Sequence, residues 1–206
     1  MTAAARLASR TCPAVLLAAG LGFLALAAQA AGPSFDCGKV EARSIAALVC
    51  RDPALAAADA KLAEVYAAAL AKAGNEQPPT LKAEQRGWIK GRDECWKVED
   101  QAACVADAYR LRIAELQARY RLLAPVGSAT YACDDAPGSE VTATFFATDP
   151  PTAIAERGDE VSFMVAQPAA SGARYQGRNE SLWEHQGEAT ITWGYGAPEL
   201  RCRVRR

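Results

Sequence analysis

Histidine occurs once in this chain of 206 residues, as His185, and no lysine follows residue 123. An enzyme needs an activated nucleophile, base or metal, and the sequence offers few candidates. It has no Gly-x-Ser-x-Gly elbow, no His-Glu-x-x-His zinc motif and no phosphate-cradling glycine loop. Neighbouring acids such as Asp134-Asp135 and Asp159-Glu160 read as turn and surface residues rather than a catalytic pair. What remains of the enzyme class is a hydrolase working with two carboxylates remote in sequence. Strong basic character is lacking too. Residues 31–123 carry 14 basic and 13 acidic residues, and residues 124–206 carry 7 and 11. A nucleic-acid binder concentrates positive charge in one domain, so no nucleic-acid partner is expected. The acidic C-terminal half would instead attract a cationic partner. No cofactor is implied.

Acids are also missing from the start of the chain. Arg6 and Arg10 are the only charges in residues 1–30, and from Pro13 to Ala30 almost every residue is Ala, Leu, Val, Phe or Gly. The run ends in Ala28-Gln29-Ala30, a small-x-small signature. Basic start, apolar middle and small-residue end describe a secretory signal peptide over residues 1–30, with a retained membrane anchor as the alternative. Cleavage there leaves no membrane span. Cys12 precedes the apolar run, so it is not the lipid-bearing cysteine of a lipoprotein signal. Six cysteines remain: Cys37, Cys50, Cys95, Cys104, Cys133 and Cys202. An even number in an exported chain implies disulfides, although six cysteines allow 15 pairings. Grouping by region suggests Cys37–Cys50, Cys95–Cys104 and Cys133–Cys202. No pair has the close spacing of a structural zinc site, so no metal is expected.

The two halves differ in period. Asp52-Pro53 is a helix start, with Asp as N-cap and Pro at the first helical position. Leu55, Leu62, Tyr66 and Leu70 recur at helical spacing through an alanine-rich stretch from Ala54 to Ala73, which Gly74 and Pro78-Pro79 end. Thr80 is placed to cap a helix reaching about Val98, with Leu81, Trp88 and Cys95 on one face. Gly87 and Gly91 inside it read as sites of close packing. Tyr109, Ile113, Leu116, Tyr120 and Leu123 form the stripe of a last helix, about Ala102 to Leu123, and a short first helix is expected from about Val40 to Val49. Four amphipathic segments with short connections predict a bundle.

Pro125-Val126-Gly127-Ser128 breaks this pattern, and the period then becomes two. Val141, Ala143 and Phe145 alternate with Thr142, Thr144 and Phe146, and Val161, Phe163 and Val165 with Ser162, Met164 and Ala166. Ala189–Trp193 and Leu200–Val204 behave alike, with turn residues between the runs. The expectation is an α+β chain of two domains: helices over 31–123, a linker at 124–130, and a small antiparallel β domain over 131–206. A Cys133–Cys202 bridge would close a loop worth roughly 4 kcal/mol in the chain-entropy model.

Specific residues carry a resemblance. Tyr131-Ala132-Cys133-Asp134-Asp135, Ser171-Gly172-Ala173-Arg174-Tyr175, Leu182–Ala189 and the terminal Cys202 together resemble the MliC/PliC family of c-type lysozyme inhibitors. The resemblance implies a small antiparallel β-barrel, periplasmic or lipid-anchored, that inserts a loop into the lysozyme cleft and meets its catalytic carboxylates. Ser171 stands at the family's hydroxyl position, and Gly172 would let the loop approach closely. Tyr175 would hold the loop or touch the cleft wall, with a place in the core as the alternative. Trp183 reads as core. The family's usual lysine within Trp-x-Lys-Gly is His185 here, followed by Gln186, so a permanent cation has become a titratable one. Arg174 or Arg178 would be the nearby source of fixed charge.

The N-terminal half resembles the LprI-type lysozyme-inhibitor domain. The matching residues are Phe35-Asp36-Cys37, then Cys50-Arg51-Asp52-Pro53 with Leu55, Asp59, Leu62, Tyr66 and Leu70. A second block has Leu81, Glu84-Gln85-Arg86, Trp88, Arg92-Asp93, Cys95 and Cys104. The pairing of Cys37 with Cys50 and of Cys95 with Cys104 fits that layout. Together the two resemblances imply a non-catalytic, periplasmic or secreted inhibitor of c-type lysozyme that protects a Gram-negative wall. Its lysozyme-binding residues would be Ser171, Gly172, Arg174, Tyr175 and His185. The alternative is an envelope interaction module with a non-lysozyme partner.

Overall fold

A computed structural model describes residues 32–75, 80–133 and 139–205. The expected signal peptide over 1–30, Pro78-Pro79 and Asp134-Asp135 lie outside the described residues. The N-terminal half holds four α-helices among those residues: α1 (Ile45–Arg51), α2 (Pro53–Lys72), α3 (Leu81–Asp93) and α4 (Gln101–Arg119). No described helix is long and apolar enough to cross a membrane.

Capping chemistry sets the helix boundaries. The Asp52 carboxylate accepts from the Ala54 and Leu55 backbone N–H groups at 2.8 and 3.2 Å, and Pro53 follows at the first position. Ser44 starts α1 by accepting from the Ala47 N–H at 3.1 Å, so this helix begins five residues later than the expected Val40. Thr80 does not cap α3: it has helical backbone angles and its side chain makes no cap hydrogen bond. That helix also stops at Asp93, passing into a 3-10 turn over Glu94–Lys97 instead of running to Val98. The last helix ends at Arg119, short of Leu123, and Arg121 turns the chain away with φ of 48°. Gly87 and Gly91 are exposed, with open space where a Cβ would sit, which overturns their reading as close-packing sites.

Leu55, Leu62, Val65, Leu81, Val105 and Leu116 make the apolar centre of this half. Charges lie beside it. Tyr109 donates to Asp59 Oδ1 at 2.8 Å and accepts from Arg92 at 2.7 Å, while the Ser34 N–H donates to Asp59 Oδ2 at 2.6 Å. Asp59 and Arg92 are both buried. Burial works against the Arg92 charge, but Asp93 and Tyr109 more than compensate and raise its pKa. Burial pushes the Tyr109 hydroxyl up strongly, with the Asp59 carboxylate adding to the shift and Arg92 opposing it. Disulfides Cys37–Cys50 and Cys95–Cys104 close the short loops at either side.

The C-terminal half is a closed antiparallel barrel of eight strands in sequential order: β1 (Gly127–Cys133), β2 (Glu140–Phe146), β3 (Thr152–Arg157), β4 (Glu160–Gln167), β5 (Ala173–Gln176), β6 (Glu180–His185), β7 (Glu188–Trp193) and β8 (Glu199–Val204). Residues 127–130, read from sequence as linker, belong to β1. β1 pairs with β8 to close the ring, and Cys133 and Cys202 are register partners joined by the third disulfide. Tyr131, Val141, Ala143, Ala155, Met164, Leu182 and Ile191 fill the interior. Around Met164 the phase is the reverse of a simple apolar-inward reading. Ser162 and Met164 are buried, whereas Val161 is exposed and Phe163 points outward. The cause is a second apolar layer: Phe146, Ile154 and Phe163, on the outer face of β2–β4, pack against Ala118 of α4. Strands covered on both faces lose a clean alternation.

Candidate functional site

Strand direction gathers the motif residues at one end of the barrel. β4 runs to Gln167, Pro168 interrupts it, and residues 168–172 lead into β5. The next connection at this end is the β6–β7 hairpin. His185 pairs with Glu188 across two residues, Gln186 and Gly187, whose φ values of 54° and 84° describe a type I′ turn. Glu184 steadies the turn by accepting from the Gly187 N–H at 3.1 Å.

The Ser171 loop is held against this hairpin by two contacts. The Trp183 indole N–H donates to the Ser171 carbonyl at 3.0 Å. Gly172 has φ of +71°, and a Cβ there would collide with the Glu184 carbonyl oxygen. Gly172 therefore serves a close approach within the chain itself, loop against β6. Ser171 is exposed, and its hydroxyl has no hydrogen-bond partner among the described residues. His185, also exposed, lies beside the loop: a Cβ placed on Gly172 would come within 3.1 Å of the His185 Cβ.

Two expectations about aromatic residues resolve differently. Tyr175 is half-buried, packs on the barrel core and lies 5.3 Å from the Phe145 ring centroid, so the core alternative holds. Burial raises its hydroxyl pKa. Trp183 is not core: its side is outward and it is 47% exposed. Leu182 occupies the interior at that level, and neighbours along a strand point to opposite faces.

Register extends the outward face sideways. Arg174 pairs with Trp183, Trp183 with Thr190, and Thr190 with Arg201, forming one row across β5–β8. The next row is His185, Glu188, Arg203 and Ala132. Trp183, His185, Glu188, Thr190, Arg201 and Arg203 line a groove of about 780 Å³. Arg203 and Glu188 approach to 3.6 Å within it. Arg178, the other expected source of charge, sits in the β5–β6 turn at the opposite end of the barrel. Arg201 and Arg203 belong to no sequence motif, although the alternation in Leu200–Val204 puts both outside. Among the described residues no group of three or more His, Cys, Asp and Glu is arranged to hold a metal.

β3 and β7 are four strands apart in the ring of eight. The helical half covers the β2–β4 side, so the groove looks away from it. A second cleft, about 460 Å³, lies between α2, α4 and residues 147–149, with Arg110 3.4 Å from Asp149 across it.

Comparison with known proteins divides the chain at the same place. Residues 131–200 match the family model described as membrane-bound lysozyme-inhibitor of c-type lysozyme. Residues 37–116 match the model described as lysozyme inhibitor LprI. Proteins named Lipoprotein LprI from Mycobacterium bovis and Mycobacterium tuberculosis are each 36% identical over 176 residues, covering 84% of this chain and 85% of theirs. No solved structure matches the chain.

Proposed function

Since the chain belongs to the LprI family of lysozyme inhibitors, we propose that it inhibits c-type lysozyme through the Ser171 end of its barrel and thereby protects cell-wall glycan. Both halves match lysozyme-inhibitor models, which supports an inhibitor rather than a catalyst. Relatives named lipoproteins, and three disulfides, support a location outside the cytoplasm, periplasmic or secreted.

A c-type lysozyme works with two carboxyl groups flanking the scissile bond. A protein that offers donors to both removes them from catalysis. The Ser171 hydroxyl donates to one carboxylate and the His185 ring N–H to the other, as charge-assisted hydrogen bonds. The supporting observation is the state of Ser171: its hydroxyl is exposed and unpartnered among the described residues, while its backbone is anchored by Trp183 and by the Gly172 contact. A donor on a braced loop loses little freedom on binding.

The test is turnover of c-type lysozyme on cell-wall substrate, titrated with the full chain. Wild type inhibits, and Ser171→Ala raises the inhibition constant by roughly ten- to hundredfold, the loss of one hydrogen bond to a charged group. Its unfolding midpoint stays unchanged. An unaltered inhibition constant removes Ser171 from the interface. Wall release by the protein without lysozyme would replace the reading with that of a hydrolase.

A further inference from the structure

The C-terminal half is acidic in sum, yet the face beside the Ser171 loop is not. Along the row Arg174–Trp183–Thr190–Arg201 there is no acid, and neither arginine has an ion-pair or hydrogen-bond partner among the described residues. Of the acids in the two adjoining rows, Glu188 is engaged with Arg203, and Glu199, two residues from Arg201 on the same face, forms no ion pair with it. Thr190 is the small residue of the row, so the indole stands between two guanidinium groups without direct ion-pair partners. Their strands are three steps apart, a span of roughly 14 Å at about 4.8 Å per strand. A half-exposed tryptophan with free arginines at its sides is the side-chain composition of an interface centre. The row is also continuous with the proposed inhibitory end, because the Trp183 indole holds the Ser171 carbonyl.

We infer that Arg201 and Arg174 supply the fixed positive charge of this inhibitor, so that the binding surface extends from the Ser171 loop onto the outer face of β5–β8 and grips carboxylates lining the lysozyme cleft. The inference rests on the reading of the Ser171 end as the lysozyme-binding end. Arginine suits the task because its planar fork pairs with a carboxylate through two parallel bonds and stays charged at every working pH. Trp183 shields the pairs from water and strengthens them. His185 then contributes a second donor rather than the main charge. The groove lined by Arg201 and Trp183 admits the cleft wall that the loop alone does not reach.

Inhibition constants for full-length wild type, Arg201→Ala, Arg201→Lys, Arg174→Ala and His185→Ala, measured at about 10 and about 150 mM salt, test this. Arg201→Ala raises the constant roughly tenfold or more, Arg174→Ala acts in the same direction, and both flatten its salt dependence. Arg201→Lys keeps the salt dependence while recovering part of the affinity. His185→Ala costs less than Arg201→Ala. A wild type that inhibits, matched at both salt concentrations by Arg201→Ala and Arg174→Ala, overturns this inference and leaves the Ser171 reading standing. A wild type that does not inhibit overturns that reading and this inference with it.

Discussion

The helical half and the barrel half keep their charges in opposite places. In the helices Asp59 and Arg92 are buried and bound to each other through Tyr109. In the barrel the interior is mostly apolar, and the arginines without partners stand outside beside an exposed indole. Buried charge that is satisfied internally fixes how helices pack and has nothing left to offer a partner. Exposed charge without a partner does little for stability and is available for recognition. The difference divides the labour: order in one half, recognition in the other.

The comparison is broken most sharply at Asp59. Asp59→Ala removes the acceptor of both the Tyr109 hydroxyl and the Ser34 N–H and strips Arg92 of a nearby carboxylate. Unfolding of the helical half should be easier by about 3–5 kcal/mol, the usual cost of removing one partner from a buried charged network. Lysozyme inhibition, measured well below the unfolding temperature, should not change. Inhibition that falls together with stability would show that the helices take part in binding.

A smaller effect separates the cores by pH. Burial first, then Glu184 and Tyr175, push the Tyr131 hydroxyl up to about 12. A pKa raised by folding stabilises the fold in full below the unfolded-state value of about 10, and that contribution disappears as pH climbs through the folded-state value. The barrel should therefore lose roughly 2–3 kcal/mol between pH 10 and 12 in denaturant titrations. Tyr131→Phe should remove that decline while leaving the alkaline behaviour of Tyr109 in place. An identical alkaline profile for the variant would mean that other groups govern the barrel.

The smallest stability change should carry a large functional one. Gly172→Ala needs a left-handed backbone and a Cβ inside the space of the Glu184 carbonyl, so residues 171–172 must move away from β6. A strain of about 1–3 kcal/mol is the scale expected for stability. Inhibition should fall at least as far as with Ser171→Ala, because the whole loop shifts. Full inhibition by the variant would mean that the Ser171 loop does not need its brace.

Local rules made much of this legible. Asp52-Pro53 announced α2, and regional grouping of the cysteines matched all three disulfides. Boundaries failed where a tertiary choice outweighed a local signal, as at Thr80, whose helical backbone leaves its hydroxyl without a capping role. β3 carries no period-two signal because Thr152, Ala153, Ile154 and Ala155 are all buried, one face in the barrel and the other under α4. β6 was hidden differently, with Leu182 as its only fully buried residue. Trp183 stands outside rather than in the core because Leu182 holds the inward position of β6. At the candidate site, Ser171 and His185 could be named singly. Their adjacency depends on β5–β6 register, and the Arg174–Trp183–Arg201 row on three registers in succession.

The sequential ring has one more consequence. A sheet that closes on itself has no free first or last strand, and here the ring is completed by short pairings, Tyr131–Cys133 of β1 on β8 and Val165–Gln167 of β4 on β5. An incoming polypeptide finds no whole strand with a vacant edge, so strand addition is a poor route to recognition for this half of the molecule. Discrimination between partners is left to side chains and loop tips, where single substitutions act one by one. The target range of such a barrel can therefore drift by surface exchange while the scaffold beneath stays as it is.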